Sequence, residues 1–133
     1  MKKLITLAVA MLVAVSAQAR QGDDIPTPPH SMWIEDDRLI KLYDDNEVYA
    51  DSGYRGKWLE MFATVRSIRE TFAGDIVLEL ATDTRLSPIR AYLQDGYEAQ
   101  AAKLKKGQTI VLDCVGGGMV LGSPVLRRCV IPQ

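Results

Sequence analysis

Residues 57–80, KWLEMFATVRSIRETFAGDIVLEL, decide the fold, because their side-chain pattern predicts two strands joined by a tight turn. Apolar and more polar side chains alternate in the first half, as they do on a strand with one buried face. The sequence Ala-Gly-Asp at 73–75 is typical of a turn. The first predicted strand alternates Leu59, Met61, Ala63 and Val65 with more polar neighbours, and the apolar residues of the second predicted strand are Ile76, Val77, Leu78 and Leu80.

The chain beyond this hairpin adds three more predicted strands and a helix. IRAYL at 89–93 predicts a third strand, and GYEAQAAKLKKG at 96–107 predicts a short helix that ends at Gly107. TIVLDC at 109–114 and PVLRRCVI at 124–131 predict the last two strands, joined by a long glycine-containing loop.

The segment before the hairpin predicts helices. Residues 34–43 place apolar side chains at helical spacing behind an acidic first turn, and Asn46 is a cap for a second short helix. The order is therefore helix, three strands, helix and two strands. This order predicts an all-β domain with flanking helices, specifically a five-stranded OB-fold Greek-key barrel with a helix between its third and fourth strands.

The first 19 residues have the anatomy of a secretory signal peptide. Lys2 and Lys3 precede an apolar run that is shorter than the ~20 residues a membrane-spanning helix needs, and Ala17-Gln18-Ala19 is a small-residue cleavage site. Cleavage is expected after Ala19, and Arg20 follows where a lipid-modified protein would have cysteine. We expect a periplasmic or secreted protein without a membrane anchor.

The predicted mature chain divides into a leader and one domain. Residues 20–31, RQGDDIPTPPHS, are rich in proline and polar side chains and predict a disordered leader. Residues 32–133 form the predicted OB-fold domain. His30 lies in the leader, where a solvated role is expected.

Cys114 and Cys129 are the chain's two cysteines. In an oxidising compartment such a pair predicts a disulfide, and the strands on which the cysteines lie would bring them together. Closing a loop of about 15 residues would stabilise the fold by roughly 3 kcal/mol. Two unpaired buried thiols are the alternative.

The charge balance argues against a dedicated nucleic-acid binder. Of 16 basic side chains, Lys2 and Lys3 leave with the peptide, so 14 basic groups face 17 acidic groups, a net charge of −3. Nucleic-acid binders are typically basic.

Residues 43–68, YDDNEVYADSGYRGKWLEMFATVRSI, resemble a bacterial envelope family labelled tRNA-anti-like. The shared features are Asp45-Asn46-Glu47, Ala50-Asp51 and the Tyr-x-Gly-Lys sequence at 54–57, and both AAKLKKGQTIVL and PVLRRC are similar to later parts of the family pattern. The resemblance covers roughly residues 35–131 and implies an OB-fold. Many members of this family are lipoproteins, and the resemblance implies no established biochemical role. Ala63 stands where a glycine would be expected to let the first strand bend.

The sequence predicts no enzyme, cofactor or metal site. A hydrolytic nucleophile needs a general base, and His30 lies in the predicted leader. The acidic residues 44–47 lack the alternating spacing and central glycine of an EF-hand loop. The three glycines at 116–118 follow a strand and lead to another, which predicts a hairpin and not a phosphate-binding loop.

Binding is the predicted activity. OB-folds commonly bind ligands on the face of their second and third strands, framed by the loops between strands one and two and strands four and five. The tongue at 116–123 would also present an apolar tip to a partner. Candidate binding residues are Arg69, Phe72, Arg90, Tyr92, Met119 and Leu121.

Three functions remain open from the sequence. The first is a non-catalytic interaction module that contacts a protein or envelope component. The second is binding of single-stranded nucleic acid or oligosaccharide by stacking on the strand two–three face. The third, an enzyme of unknown class, requires a pocket with converging titratable groups.

Overall fold

The computed structural model describes residues 31–83 and 88–132. The predicted signal peptide and almost all of the predicted leader, including His30, lie outside the described residues, so those predictions are untested by the structure. Within the described residues, no helix is long and apolar enough to cross a membrane.

The described residues form six strands and three helices. In chain order they are β1 (Met32–Trp33), α1 (Asp36–Asp45), α2 (Glu47–Tyr54), β2 (Trp58–Glu70), β3 (Ile76–Leu80), β4 (Ile89–Leu93), α3 (Glu98–Lys103), β5 (Thr109–Val120) and β6 (Ser123–Val130).

Strands β2 to β6 close into a barrel. The sheet order is β2-β3-β4-β6-β5, and β2 pairs again with β5 to complete the circle. The length of β2 permits this, because its first half (58–64) pairs with β5 and its second half (65–70) with β3. A parallel β4–β6 pair and an antiparallel β5–β6 pair complete the Greek key of an OB-fold. The predicted fold class is confirmed.

The alternation along β2 fills the barrel as predicted. The side chains at 59, 61, 63 and 65 are all buried. Inward side chains from the other strands meet them, and α1 adds Leu39, Ile40 and Tyr43 to the same core. Burying one such side chain fully contributes about 1.5–3 kcal/mol, so the inward faces of these elements are a main source of the barrel's stability.

The strand bend needs no glycine at position 63. Ala63 is buried in the core, and the pairing of β2 with β3 instead shifts register between Val65 and Ser67. A bulge of this kind bends a strand and increases its twist. The irregularity two residues later thus provides the bend that the family resemblance places at residue 63.

The cap and the disulfide occur where they were predicted. Asn46 Oδ1 accepts a hydrogen bond from the backbone N–H of Tyr49 at 3.0 Å, so α2 begins with a side-chain cap. Cys114 and Cys129 form a disulfide between β5 and β6, and both are fully buried.

The glycine-rich segment is a strand, which corrects the predicted long loop. β5 continues through residues 116–118 to Val120, and only Leu121 and Gly122 turn the chain into β6. A Cβ at Gly116 would overlap the backbone carbonyl oxygen of Tyr54 at the end of α2. The glycines therefore allow a close backbone approach, and a bulge between Gly116 and Met119 keeps the strands paired.

Candidate functional site

The outer face of β3, β4 and β6 is built by the alternation of each strand. Leu78 and Leu80 point into the core, which places Val77 and Glu79 on the outer face of β3. Val77 lies opposite Tyr92, and Glu79 lies opposite Arg90. Arg69 extends the first row, because it lies opposite Val77 on the other side.

Arg127 of β6 completes this face. Its guanidinium carbon lies 5.1 Å from the centre of the Tyr92 ring, a cation–π contact. We call Arg69, Arg90, Tyr92 and Arg127 the arginine–tyrosine face. The structure thus brings together three of the residues predicted from the sequence and adds Arg127, which the sequence analysis did not select.

The charge of this face is mainly positive. Glu79 is the acidic residue opposite Arg90, and its Oε2 accepts a hydrogen bond from Ser67 Oγ at 3.0 Å. In the described part of the chain, no ion pair joins Glu79 to Arg90. The guanidinium groups of Arg90 and Arg127 are therefore placed to meet an acidic or aromatic ligand.

The tip of the β5–β6 hairpin is apolar and exposed, as the sequence suggested for this segment. We call Val120, Leu121 and Gly122 the hairpin tip. Leu121 is 93% exposed and Val120 is 42% exposed. Met119 differs from the prediction, since it is half-buried and packs against the core. The hairpin, being paired up to Val120, holds Met119 inside and leaves only the tip to solvent.

Leu121 has an unusual backbone conformation. Its φ is +51° and that of Gly122 is +77°, as required in a two-residue hairpin turn with left-handed central residues. Glycine or asparagine normally fills such positions, because the left-handed conformation destabilises most other residues by roughly 1–2 kcal/mol.

Phe72 is separated from the hairpin tip. It is fully exposed in the turn between β2 and β3, which lies next to the Val77–Tyr92 row. The hairpin tip lies directly before β6, and Val125 near the start of β6 pairs with Arg90 near the start of β4. The two exposed apolar turns therefore lie at opposite ends of the arginine–tyrosine face.

A family model described as tRNA_anti-like matches residues 1–130. The chain belongs to the tRNA_anti-like family. The match confirms the resemblance seen in the sequence motifs, and the closed barrel is the fold that the resemblance implied.

A solved structure supports the tRNA_anti-like fold. The crystal structure of a "putative nucleic acid-binding lipoprotein" from Klebsiella pneumoniae subsp. pneumoniae is similar to this chain, with a TM-score of 0.63 and 14% sequence identity. The match covers 77% of this chain and 92% of that chain. At this identity the likeness concerns the fold. A search of curated proteins found no match.

An acidic cleft lies between α1 and the end of β3. Asp36, Asp37 and Asp83 line this cleft of about 250 Å³, and Asp37 Oδ1 accepts a hydrogen bond from the backbone N–H of Asp83 at 3.0 Å. Burial raises the pKa of Asp36, and a hydrogen bond with the Asp37 carboxyl raises the pKa of Asp83. These contacts fasten α1 to the segment that follows β3.

The residues needed for nucleophilic or metal chemistry do not converge in the described part of the chain. Residues 31–83 and 88–132 contain no histidine and no free cysteine. No group of three or more potential metal ligands occurs among them. In this tRNA_anti-like chain, the side chains that the arginine–tyrosine face brings together are arginines and one tyrosine ring.

Proposed function

We propose that the protein is an exported, non-catalytic interaction module that contacts a protein partner in the envelope through its hairpin tip. The exposed conformation of Leu121 carries this proposal. The side chain gains almost nothing from burial and its backbone is strained, so folding does not explain a leucine at this position. Strain of this kind is concentrated at functional sites.

The hairpin supports the tip as a rigid element. The disulfide joins its two strands, Met119 anchors the end of β5 in the core, and Gly116 lies against the end of α2. A preformed contact surface loses little conformational entropy on binding. An exposed apolar side chain at such a tip can fill an apolar pocket on a partner.

Three observations support export to the envelope. The first 19 residues have the features of a signal peptide, and a buried disulfide is typical of a protein in an oxidising compartment. The similar Klebsiella protein is named a lipoprotein. The non-catalytic role is supported by the character of the binding groups, namely an exposed leucine and a face of arginines.

The experiment is a pull-down from periplasmic extract with the wild-type protein and two variants. Leu121→Ser removes the apolar tip, and Phe72→Ser removes an equally exposed apolar side chain at the other end of the face. We expect Leu121→Ser to lose one specific partner that Phe72→Ser retains. Retention of every partner by Leu121→Ser would exclude the tip as the contact.

A second candidate function is binding of single-stranded nucleic acid or oligosaccharide on the arginine–tyrosine face. The contact of Arg127 with Tyr92 favours it, because cations beside rings bind stacked bases or sugars. The name of the Klebsiella protein refers to nucleic acid. The net negative charge of the chain argues against nucleic-acid binding.

Fluorescence anisotropy with a labelled oligothymidine tests this candidate. Binding should weaken steeply as salt rises, and Arg127→Gln should weaken it further, whereas Arg38→Gln on α1 should not. Salt-insensitive binding of an oligosaccharide would identify sugar as the ligand, and a failure of both oligothymidine and oligosaccharide to bind would reject this second function.

A further inference from the structure

A second wall of the barrel carries aromatic rings and carboxylates. Leu59 and Met61 point into the core from β2, so Glu60 and Phe62 lie on its outer face. Asp113 of β5 lies between Leu112 and Cys114, which belong to the core, and therefore also occupies an outward position of its strand. We call Trp33, Glu60, Phe62 and Asp113 the aromatic–carboxylate wall.

The strand registers place these side chains next to one another. Trp33 lies opposite Glu60, and Glu60 lies opposite Asp113 on its other side. The rings of Trp33 and Phe62 meet edge to face, with centroids 4.8 Å apart. Such a pair is favourable in itself, yet the two rings remain 49% and 58% exposed.

The two carboxylates of this wall have no positive partner among the described residues. Asp113 is only 7% exposed, and its Oδ1 has no hydrogen-bond partner. Glu60 takes part in no ion pair in the described part of the chain. Aspartate is rarely buried unless it is paired, because an unpaired buried acceptor loses its hydration without compensation.

The same wall shows how it can hold a guanidinium group. The side chain of Arg128 extends over Trp58, with its guanidinium carbon 5.7 Å from the ring centre. Arg128 forms no ion pair with Asp113 among the described residues. The partly exposed Trp33–Phe62 pair lies beside two carboxylates, and among the described residues no guanidinium or ammonium group lies over either ring.

We propose that the aromatic–carboxylate wall binds an arginine side chain of a partner polypeptide. The guanidinium stacks on the Trp33–Phe62 rings and donates hydrogen bonds to Glu60, and the negative charge of Asp113 lies behind it. Arginine suits this wall better than lysine, because its planar group stacks on rings while it donates to a carboxylate. This site does not rest on the hairpin tip.

Tryptophan fluorescence is a direct reporter for this wall. Both tryptophans of the chain, Trp33 and Trp58, belong to β1 and β2. The probe is the peptide acetyl-Gly-Arg-Gly-Arg-Gly-amide, and its control contains citrulline in place of arginine, which keeps the shape and removes the charge. We expect a saturable change with the arginine peptide and at least tenfold weaker binding of the citrulline peptide.

Matched variants locate the binding. Glu60→Gln removes one wall carboxylate and should weaken the arginine peptide at least tenfold, whereas Glu79→Gln, on the other side of the barrel, should not change it. Trp58→Phe should keep the fluorescence response and Trp33→Phe should abolish it. Equal binding of the two peptides, or an unchanged affinity in Glu60→Gln, would overturn the proposal.

A measurement on the wild-type protein alone avoids any effect of a variant on folding. In a ¹⁵N-labelled sample, the arginine peptide should shift the indole N–H of Trp33 and the backbone amides of residues 60–62. Shifts confined to the arginine–tyrosine face, or none at all, would reject the wall as the site.

Discussion

Leu121 shows how a single residue can oppose the stability of the element that contains it. Asparagine followed by glycine is the preferred pair in a two-residue turn with two left-handed residues, and here leucine precedes Gly122. The sequence does signal an unusual apolar segment at 119–121. It cannot show that Met119 turns inward while Leu121 stays outside, because that depends on where the hairpin pairing ends.

Leu121→Asn should therefore stabilise the protein while it removes the proposed contact. Relief of the left-handed leucine is expected to raise the free energy of unfolding by about 1 kcal/mol, since asparagine tolerates this conformation. Urea unfolding measures the gain, and the pull-down measures the loss. Phe72→Asn should change neither, and a destabilised Leu121→Asn would contradict the strain argument.

A substitution at Gly116 should destabilise the protein, because the space beside its Cα is filled by the backbone of Tyr54. Gly116→Ala brings a Cβ into the Tyr54 carbonyl oxygen and should cost about 1–3 kcal/mol as the strand or α2 shifts. Gly53→Ala is the control: Gly53 lies within α2 and a Cβ there meets nothing within 4 Å, so the change should stabilise by about 0.5–1 kcal/mol. Equal effects at both positions would exclude the close approach as the reason for glycine.

At the scale of elements, β5 is the strand that the sequence describes least well. Glycine is depleted in strands, so three consecutive glycines predict a loop. The segment between α2 and β2 pairs with β5: Gly56 N–H donates to Gly116 O at 2.8 Å, and Gly116 N–H donates to Lys57 O at 2.9 Å. These contacts are tertiary, and no local pattern reveals them. The helix α2 itself was predictable, because its Asn46 cap is local.

The link between α1 and the segment after β3 should make stability depend on pH. The pKa values of Asp36 and Asp83 are raised above the ordinary 3.8, so the folded protein holds these protons more tightly than the unfolded chain does. Their contribution is fully present below about pH 3.8 and is lost as the pH rises through the raised values. At neutral pH the charged aspartates repel one another.

Asp83→Asn tests this link, since it keeps the backbone N–H bond to Asp37 and removes one charge. The variant should unfold at higher urea than the wild type at pH 7, and the difference should shrink towards pH 4. Asp95→Asn, at an exposed turn before α3, should shift stability by the same small amount at both pH values. A pH-independent difference for Asp83→Asn would show that the carboxylate repulsion is not the cause.

At the scale of the whole molecule, the barrel carries two outer surfaces, one with arginines around a tyrosine and one with carboxylates beside aromatic rings. The arginine–tyrosine face lies on the second half of β2 and on β3, β4 and β6, and the aromatic–carboxylate wall lies on β1, the first half of β2 and β5. The element order, together with the family resemblance, predicted the closed barrel. The walls were only partly predictable: Arg90 and Tyr92 share a strand, but Trp33, Glu60 and Asp113 meet only through the registers of three strands.

The disulfide acts on the whole molecule, because β5 and β6 complete the circle of the barrel. Its cysteines are separated by 15 residues, and reduction should lower the free energy of unfolding by about 3 kcal/mol. The urea midpoint should then fall by about 1–3 M, given an m value of about 1–3 kcal/mol per molar for a small domain. The double variant Cys114→Ala/Cys129→Ala is the control, and its midpoint should not respond to the reductant. If reduction left the wild-type midpoint unchanged, closure of the barrel would depend on its apolar core and strand pairing alone.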